Sequence, residues 1–392
     1  MGDFFLKYVK ILFMKKFFNE MFSRNEINTG RQIEVDIAKA ICIIGMVLVH
    51  AFEQLPFVEG SGGAGEFILM RVGNTIFGAT LFMFCMGVGM AYTKKNNPNL
   101  IMLRGLTIFI IGLLLNFFRI VLGMLITNAV HPGFYSTNII IIELLQNDIL
   151  YFAGLAMMLF GLLKKLKIPG WGILLISVAM SILGTIFKGY DLHNVYGNLI
   201  VGWFIGTNYP GIQFDTTSFF PLLNWFILVA AGYCFAWILK RVEKKGRFYM
   251  IFSSISAVLI GLYIGLCIGP KVGFFQDDFR CTYHIATYDA LISLCGAVFA
   301  FGLYYGLSRI LLKIVLKGAT TLSKYINTVY CIQWVVYGNL TTIYSVCAPD
   351  LTFEAWKIAL YGLGVLVFSI LIAWIYKGLI MKSFKKRKEV TV

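Results

Sequence analysis

Apolar residues along this chain gather into ten stretches, at about 35–55, 67–92, 102–127, 138–163, 168–187, 219–240, 249–269, 285–311, 319–347 and 353–378. Each reaches the roughly 20 residues that an α-helix needs to cross the hydrocarbon core. The pattern predicts an all-α fold, a polytopic membrane helix bundle of about ten transmembrane helices, with 35–380 as one integral-membrane domain. Residues 1–34 read as a basic cytoplasmic or interfacial segment and 381–392 as a basic cytoplasmic tail. The opening FFLKYVKILFMKKFFNEMF is too short and too interrupted by Lys for a signal-peptide core, and fits an interfacial helix with an imperfect apolar face. The connection at roughly 188–218 is rich in Gly, Asn and Pro, which predicts irregular or re-entrant backbone.

Charge sorts the connections into two sets. One carries Lys94, Lys95 and Arg104, then Lys164, Lys165 and Lys167, then Lys240, Arg241, Lys244, Lys245 and Arg247, then Arg309, Lys313, Lys317 and Lys324. The other carries Glu53, Glu59, Glu66, Asp191, Asp215, Asp277, Asp278, Asp350 and Glu354, with few cations. Basic loops stay on the cytoplasmic side, so the alternation places both termini in the cytoplasm. Trp171, Trp203, Trp225 and Trp356 fall near predicted span ends, as an interfacial aromatic belt requires.

Composition narrows the class. The chain is 59% hydrophobic and 14% charged, which excludes a soluble globular domain. Its net charge of +15 follows from the basic loops; no basic-aromatic recognition module is present, so the partner is the lipid bilayer and not nucleic acid. Eight cysteines form no CxxC pair and read as small buried hydrophobes, although Cys267, Cys281 and Cys347 share one set of loops where a disulfide is compatible. Four histidines lack HxxxH or HExxH spacing, which argues against a metal centre. No repeat relates the two halves, which weakens a repeat-built transporter.

The first apolar stretch, IEVDIAKAICIIGMVLVHAF, carries Asp36, Lys39 and His50. Eleven residues make about three helical turns, so Lys39 and His50 share a face, with Asp36 one turn below Lys39. His50 lies roughly 21 Å along the axis from Asp36, toward the outer side. Ionisable groups at such depth face a bundle interior or cavity. A neutral imidazole can take a proton from an alcohol or amine, and Lys39 can hold an anion or pair with Asp36. Spacing alone weighs this equally against a helix-end salt bridge plus a structural histidine. Arg71 and Asn74 stand one turn apart near the outer end of the second stretch. Arg119 lies at a depth reachable by Glu143 or Asp148, a pairing that is more often structural than catalytic; alternatively Arg119 binds a carboxylated sugar or a lipid phosphate. His284 and Asp289 open the eighth stretch and are placed to line an acceptor cleft. His131 and His193 read as solvated loop residues.

RQIEVDIAKAICIIGMVLVHAF resembles the first helix of the transmembrane acyltransferase superfamily, the integral-membrane glycan O-acyltransferases and the heparan-alpha-glucosaminide N-acetyltransferase-like proteins. The O-acylating branch places Asp three residues before an Arg that is followed, after ten residues, by His; Asp36, Lys39 and His50 keep that spacing, and Arg31 stands where the motif tends to begin. Lys39 departs from the family Arg, keeping the charge without the planar fork. ATLFMFCMGVGMAY (79–92), LRGLTIFIIGLLLN around Arg104, FFPLLNWFILVAAGY (219–233) and LSKYINTVYCIQWVV (322–336) resemble later helices more loosely; the last places a Tyr before a Tyr-x-x-Gln-Trp turn.

The resemblance implies transfer of an acetyl or other acyl group from cytoplasmic acyl-CoA (acetyl-CoA as the expected donor substrate) to a cell-envelope carbohydrate or glycolipid at the outer face of a bacterial plasma membrane. His50 would act as base or carry the acyl group transiently, with Asp36 and Lys39 at its helix base. Arg104 and Arg31 would contact the donor, and Arg71, Asn74, Arg119 and His284 the acceptor. The rival reading is a transporter or flippase of a small solute or lipid-linked sugar, with Arg119, Glu143 and Asp148 as its pathway.

Overall fold

The computed structural model describes residues 20–56, 58, 63, 65, 78–94, 96–207, 218–276, 283–348 and 350–390, with side chains through Leu379. Arg71, Asn74, Cys281 and most of the opening segment lie outside the described residues. The elements are α1 (Ile33–Gln54), α2 (Ala79–Tyr92), α3 (Pro98–Val130), α4 (Thr137–Leu145), α5 (Ile149–Lys165), α6 (Gly170–Ile186), α7 (Val195–Gly202), α8 (Leu222–Leu239), α9 (Lys245–Cys267), α10 (Thr287–Ile310), α11 (Lys313–Cys347) and α12 (Ala355–Val390). No strand occurs among the described residues. Among the described residues, six helices are long and apolar enough to cross a membrane: α1, α3, α8, α9, α10 and the 355–379 part of α12. α2 and α6 are shorter apolar helices.

α1 is the central helix. Val35, Ile37, Ala38, Cys42, Ile43, Met46, Val47, Val49 and Phe52 are buried on successive faces, because α2, α10, α11 and α12 surround it. Outside this ring, α8 packs on α2 and α6, α3 on α5, and α9 on α10. Small residues set the closest crossings. A Cβ on Gly87 would meet the Val229 carbonyl, and one on Gly232 the Phe84 carbonyl. Gly105 and Gly154 oppose each other in the same way, their added Cβ atoms reaching 2.7 and 2.8 Å from the partner's carbonyl oxygen. Helices in lipid associate through this kind of backbone approach.

The basic connections gather at one end of the bundle. Lys164 hydrogen-bonds Asn96, Lys240 lies 5.5 Å from the Tyr92 ring, and Lys377 Nζ donates to Lys324 O at 2.8 Å. Residues 20–32 form a strap across the same end: Asn28 Nδ2 donates to Val242 O at 2.5 Å, and Glu26 meets Arg241 at 3.1 Å.

Two expectations change. The stretch read as one span at 138–163 is broken, with α4 ending at Leu145 and α5 starting at Ile149. Gln146, Asn147 and Asp148 form the break, and all three are buried. Hydropathy merges the two pieces because IIIIELL and ILYFAG flank only three polar residues. The carbonyls freed at the break are met by side chains: Asn116 Nδ2 donates to Leu144 O and Gln146 O at 3.1 and 3.0 Å, and Trp203 Nε1 to Leu145 O at 3.1 Å. Irregular backbone at membrane depth persists only when satisfied internally. The second change is in the connection 188–218, whose described part 188–207 holds a short helix, α7. Cys267 and Cys347 are free thiols.

Candidate active site

α11 turns one polar stripe inward. Tyr330, Gln333, Trp334, Tyr337 and Gly338 recur at helical spacing and are all buried. Opposite them on α1, His50 is half-buried. Gln333 Oε1 lies 3.2 Å from His50 Nδ1. With the amide in this orientation Oε1 accepts, so the imidazole proton stands on Nδ1 and Nε2 keeps its lone pair. The imidazole packs against the Trp334 indole with ring centroids 4.2 Å apart. Tyr330 approaches the same imidazole edge-on at 6.2 Å.

The far side of Trp334's environment is supplied by α3. Its backbone widens into a π turn at Phe117–Val121, which carries Arg119. Such turns insert one residue and redirect side chains. Arg119 Cζ sits 4.5 Å from the Trp334 ring centroid, and Nη1 donates to Asp148 Oδ2 at 2.9 Å. Gly338 makes the approach feasible, since a Cβ there would collide with the Arg119 carbonyl. Asn339 Nδ2 donates to Phe118 O within the π turn at 2.9 Å.

Asp148 is the junction. Its Oδ1 caps α5 by accepting from Ile149 N at 2.6 Å, and its carboxylate accepts from Tyr330 Oη at 3.2 Å. The positive end of the α5 dipole favours that charge. Between the Glu143 and Asp148 alternatives for Arg119, the structure pairs Arg119 with Asp148.

Asp36 and Lys39 belong to a different place, near the basic end. Asp36 accepts from Arg31, from Ser323 Oγ at 2.8 Å and from Thr320 Oγ1 at 3.5 Å. Arg31 also donates to Thr320 O at 3.1 Å, and the Asp36 carboxylate holds its guanidinium pKa above the ordinary range. Asp36 therefore clamps the strap to α11 and does not pair with Lys39. Lys39 instead points toward Gly89 of α2, whose added Cβ would sit 3.5 Å from Nζ. Glu34, which sequence reasoning passed over, binds Lys245 at 2.7 Å and Tyr249 Oη at 3.1 Å.

Arg104 is exposed on the first turns of α3. His284 is fully buried, with Nε2 2.6 Å from Ser218 O. It stitches the chain before α8 to the start of α10. His193 forms a loop pair with Asp191 at 3.1 Å, and His131 is exposed. The structure thus unites His50, Arg119 and Asp148, and adds Gln333, Trp334 and Tyr330. The sequence signal for those three was the Tyr-x-x-Gln-Trp turn, which carried no assigned role. No group of residues suited to a metal occurs among the described residues.

The family model described as heparan-alpha-glucosaminide N-acetyltransferase, catalytic, matches residues 31–266. The match takes in Asp36, Lys39, His50, Arg119 and Asp148 and ends before α11. No curated protein and no solved structure matches the chain.

Proposed function

The chain belongs to the heparan-alpha-glucosaminide N-acetyltransferase family, and on that premise we propose a membrane acetyltransferase in which His50 is the base. The donor would be cytoplasmic acetyl-CoA and the acceptor a cell-envelope carbohydrate at the outer face. The membrane would be a bacterial plasma membrane. The observation that carries the reading is the Gln333 contact to His50 Nδ1, which gives Nε2 the lone pair that a base needs.

Transfer then runs as follows. The acceptor nitrogen or oxygen attacks the acetyl carbonyl carbon while His50 Nε2 takes its proton. The carbon–sulfur bond breaks, CoA leaves as thiolate, and the imidazolium returns the proton to that sulfur. Arg119 and Asp148 fix Trp334 and Tyr330, and these two rings hold the imidazole.

The basic end fits a polyphosphorylated donor, and the positive-inside rule puts that end and both termini in the cytoplasm. Much of its charge is already engaged: Lys245 pairs with Glu34, Arg241 with Glu26 and Arg247 with Glu20. Arg31 is engaged by Asp36. Of the cations assigned above to the donor or to the α1 stripe, Lys39 and the exposed Arg104 form no ion pair among the described residues, and we assign donor phosphates to these two.

The test is CoA release from acetyl-CoA by purified wild type and His50→Ala, with amino-sugar acceptors. General-base removal should lower kcat about 10²–10⁴-fold. A folded His50→Ala variant with wild-type turnover would sink the assignment.

A further inference from the structure

Glu53 follows His50 by one turn on α1 and is exposed, unlike the carboxylates of Asp36 and Asp148. Residues three apart on a helix lie with Cβ atoms roughly 5–6 Å apart, and helical side chains lean toward the N-terminus, here toward His50. Tyr283 Oη donates to Glu53 Oε1 at 3.1 Å. Tyr283 is itself fixed: its carbonyl accepts from Trp225 Nε1 at 2.6 Å, and its ring meets Phe219 at 4.8 Å. No Lys or Arg among the described residues pairs with Glu53. A carboxylate with a set position, and with no cation on it among the described residues, therefore stands one turn from the base.

Proton bookkeeping gives that carboxylate a task. A hydroxyl acceptor loses one proton on acetylation, but an amine present as ammonium loses two. The first must leave before nitrogen has a lone pair with which to attack. We propose that Glu53 binds the acceptor ammonium beside His50 and takes this first proton, so that the site selects an amino group over a hydroxyl. The inference rests on the acetyltransferase reading above. The ammonium gives one proton to the Glu53 carboxylate, which passes it to water. The free amine attacks the acetyl carbon, its second proton goes to His50 Nε2, the carbon–sulfur bond breaks, and the thiolate recovers that proton as CoA thiol. The sum is ammonium plus acetyl-CoA giving amide, CoA and one released proton.

The experiment compares methyl glucosaminide with methyl glucoside as acceptors, for wild type, Glu53→Gln and Tyr283→Phe, by CoA release and by product mass. Glu53→Gln should raise the KM for the amine and lower the amine-to-hydroxyl preference by roughly tenfold or more. Tyr283→Phe should shift the preference in the same direction by less. An unchanged preference in folded Glu53→Gln overturns the role of Glu53, even where CoA release still depends on His50. Wild type that shows no His50-dependent CoA release with either acceptor overturns the acetyltransferase reading, and this inference with it.

Discussion

Arg119 and Asp148 meet at 2.9 Å where a π turn in one helix faces a break in another. Neither irregularity would put its side chain in that position without the other. The widened turn redirects Arg119, and the break lets Asp148 cap α5 from within the bundle. The pair then supports Trp334 and Tyr330, and through them the imidazole of His50.

Removing half of this pair should be costly. Asp148→Ala leaves a buried guanidinium uncompensated, uncaps α5 and takes the acceptor from Tyr330, a destabilisation of about 3–5 kcal/mol. Thermal unfolding in detergent should show the loss. The double variant Arg119→Met with Asp148→Asn should recover much of the stability while remaining impaired in turnover.

Gln333→Leu keeps the size of the side chain and removes the acceptor that holds the proton on His50 Nδ1. The expected outcome is a kcat lowered roughly 10–10³-fold, less than where an orienting carboxylate is lost, with the KM for acetyl-CoA little changed. An unfolding midpoint near wild type would locate the effect in the chemistry. A fall in KM alone would contradict the tautomer argument.

Gly338→Ala tests the close approach of α11 to the π turn, because the new methyl collides with the Arg119 carbonyl. Overpacking of this kind costs about 1–3 kcal/mol and should displace Arg119 from Trp334, lowering activity as well. Gly364→Ala in α12, whose Cβ would meet nothing within 4 Å, is the matched control and should be neutral or slightly stabilising.

Asp36 and Lys39 should separate by measurement. Asp36→Asn loosens the clamp among Arg31, Thr320 and Ser323, so it should lower stability and yield, with turnover per folded molecule largely retained. Lys39→Met should raise the KM for acetyl-CoA, an effect that shrinks as salt is raised, while the unfolding midpoint stays near wild type.

Most helices were legible because each long apolar stretch has one environment and one period. His50 was legible for the complementary reason: an imidazole within an otherwise apolar stretch conflicts with its surroundings unless the fold gives it partners. Arg119 was legible to within two candidate carboxylates. What periodicity could not give was contact across the chain. It describes residues within one helix, so it suggested Lys39 for Asp36, whereas the extended backbone before α1 folds Arg31 over the first turn. It also hid Gln333 in an ordinary amphipathic stripe, 283 residues from the histidine it orients. The burial of His284 was hidden for a similar reason: its contact with Ser218 lies 66 residues away in the chain.

The break between α4 and α5 also bears on how such a protein is made. Arg119 and Asp148 are only 29 residues apart, so they can neutralise each other as soon as one helical hairpin has entered the bilayer. Tyr330 follows Asp148 by 182 residues and emerges from the ribosome long afterwards. The charges that cost most in lipid thus find each other early in synthesis, and the aromatic residues that turn this pair into a support for His50 arrive with nearly the last helix. A nascent chain is shielded from its own buried ions well before it holds a working site.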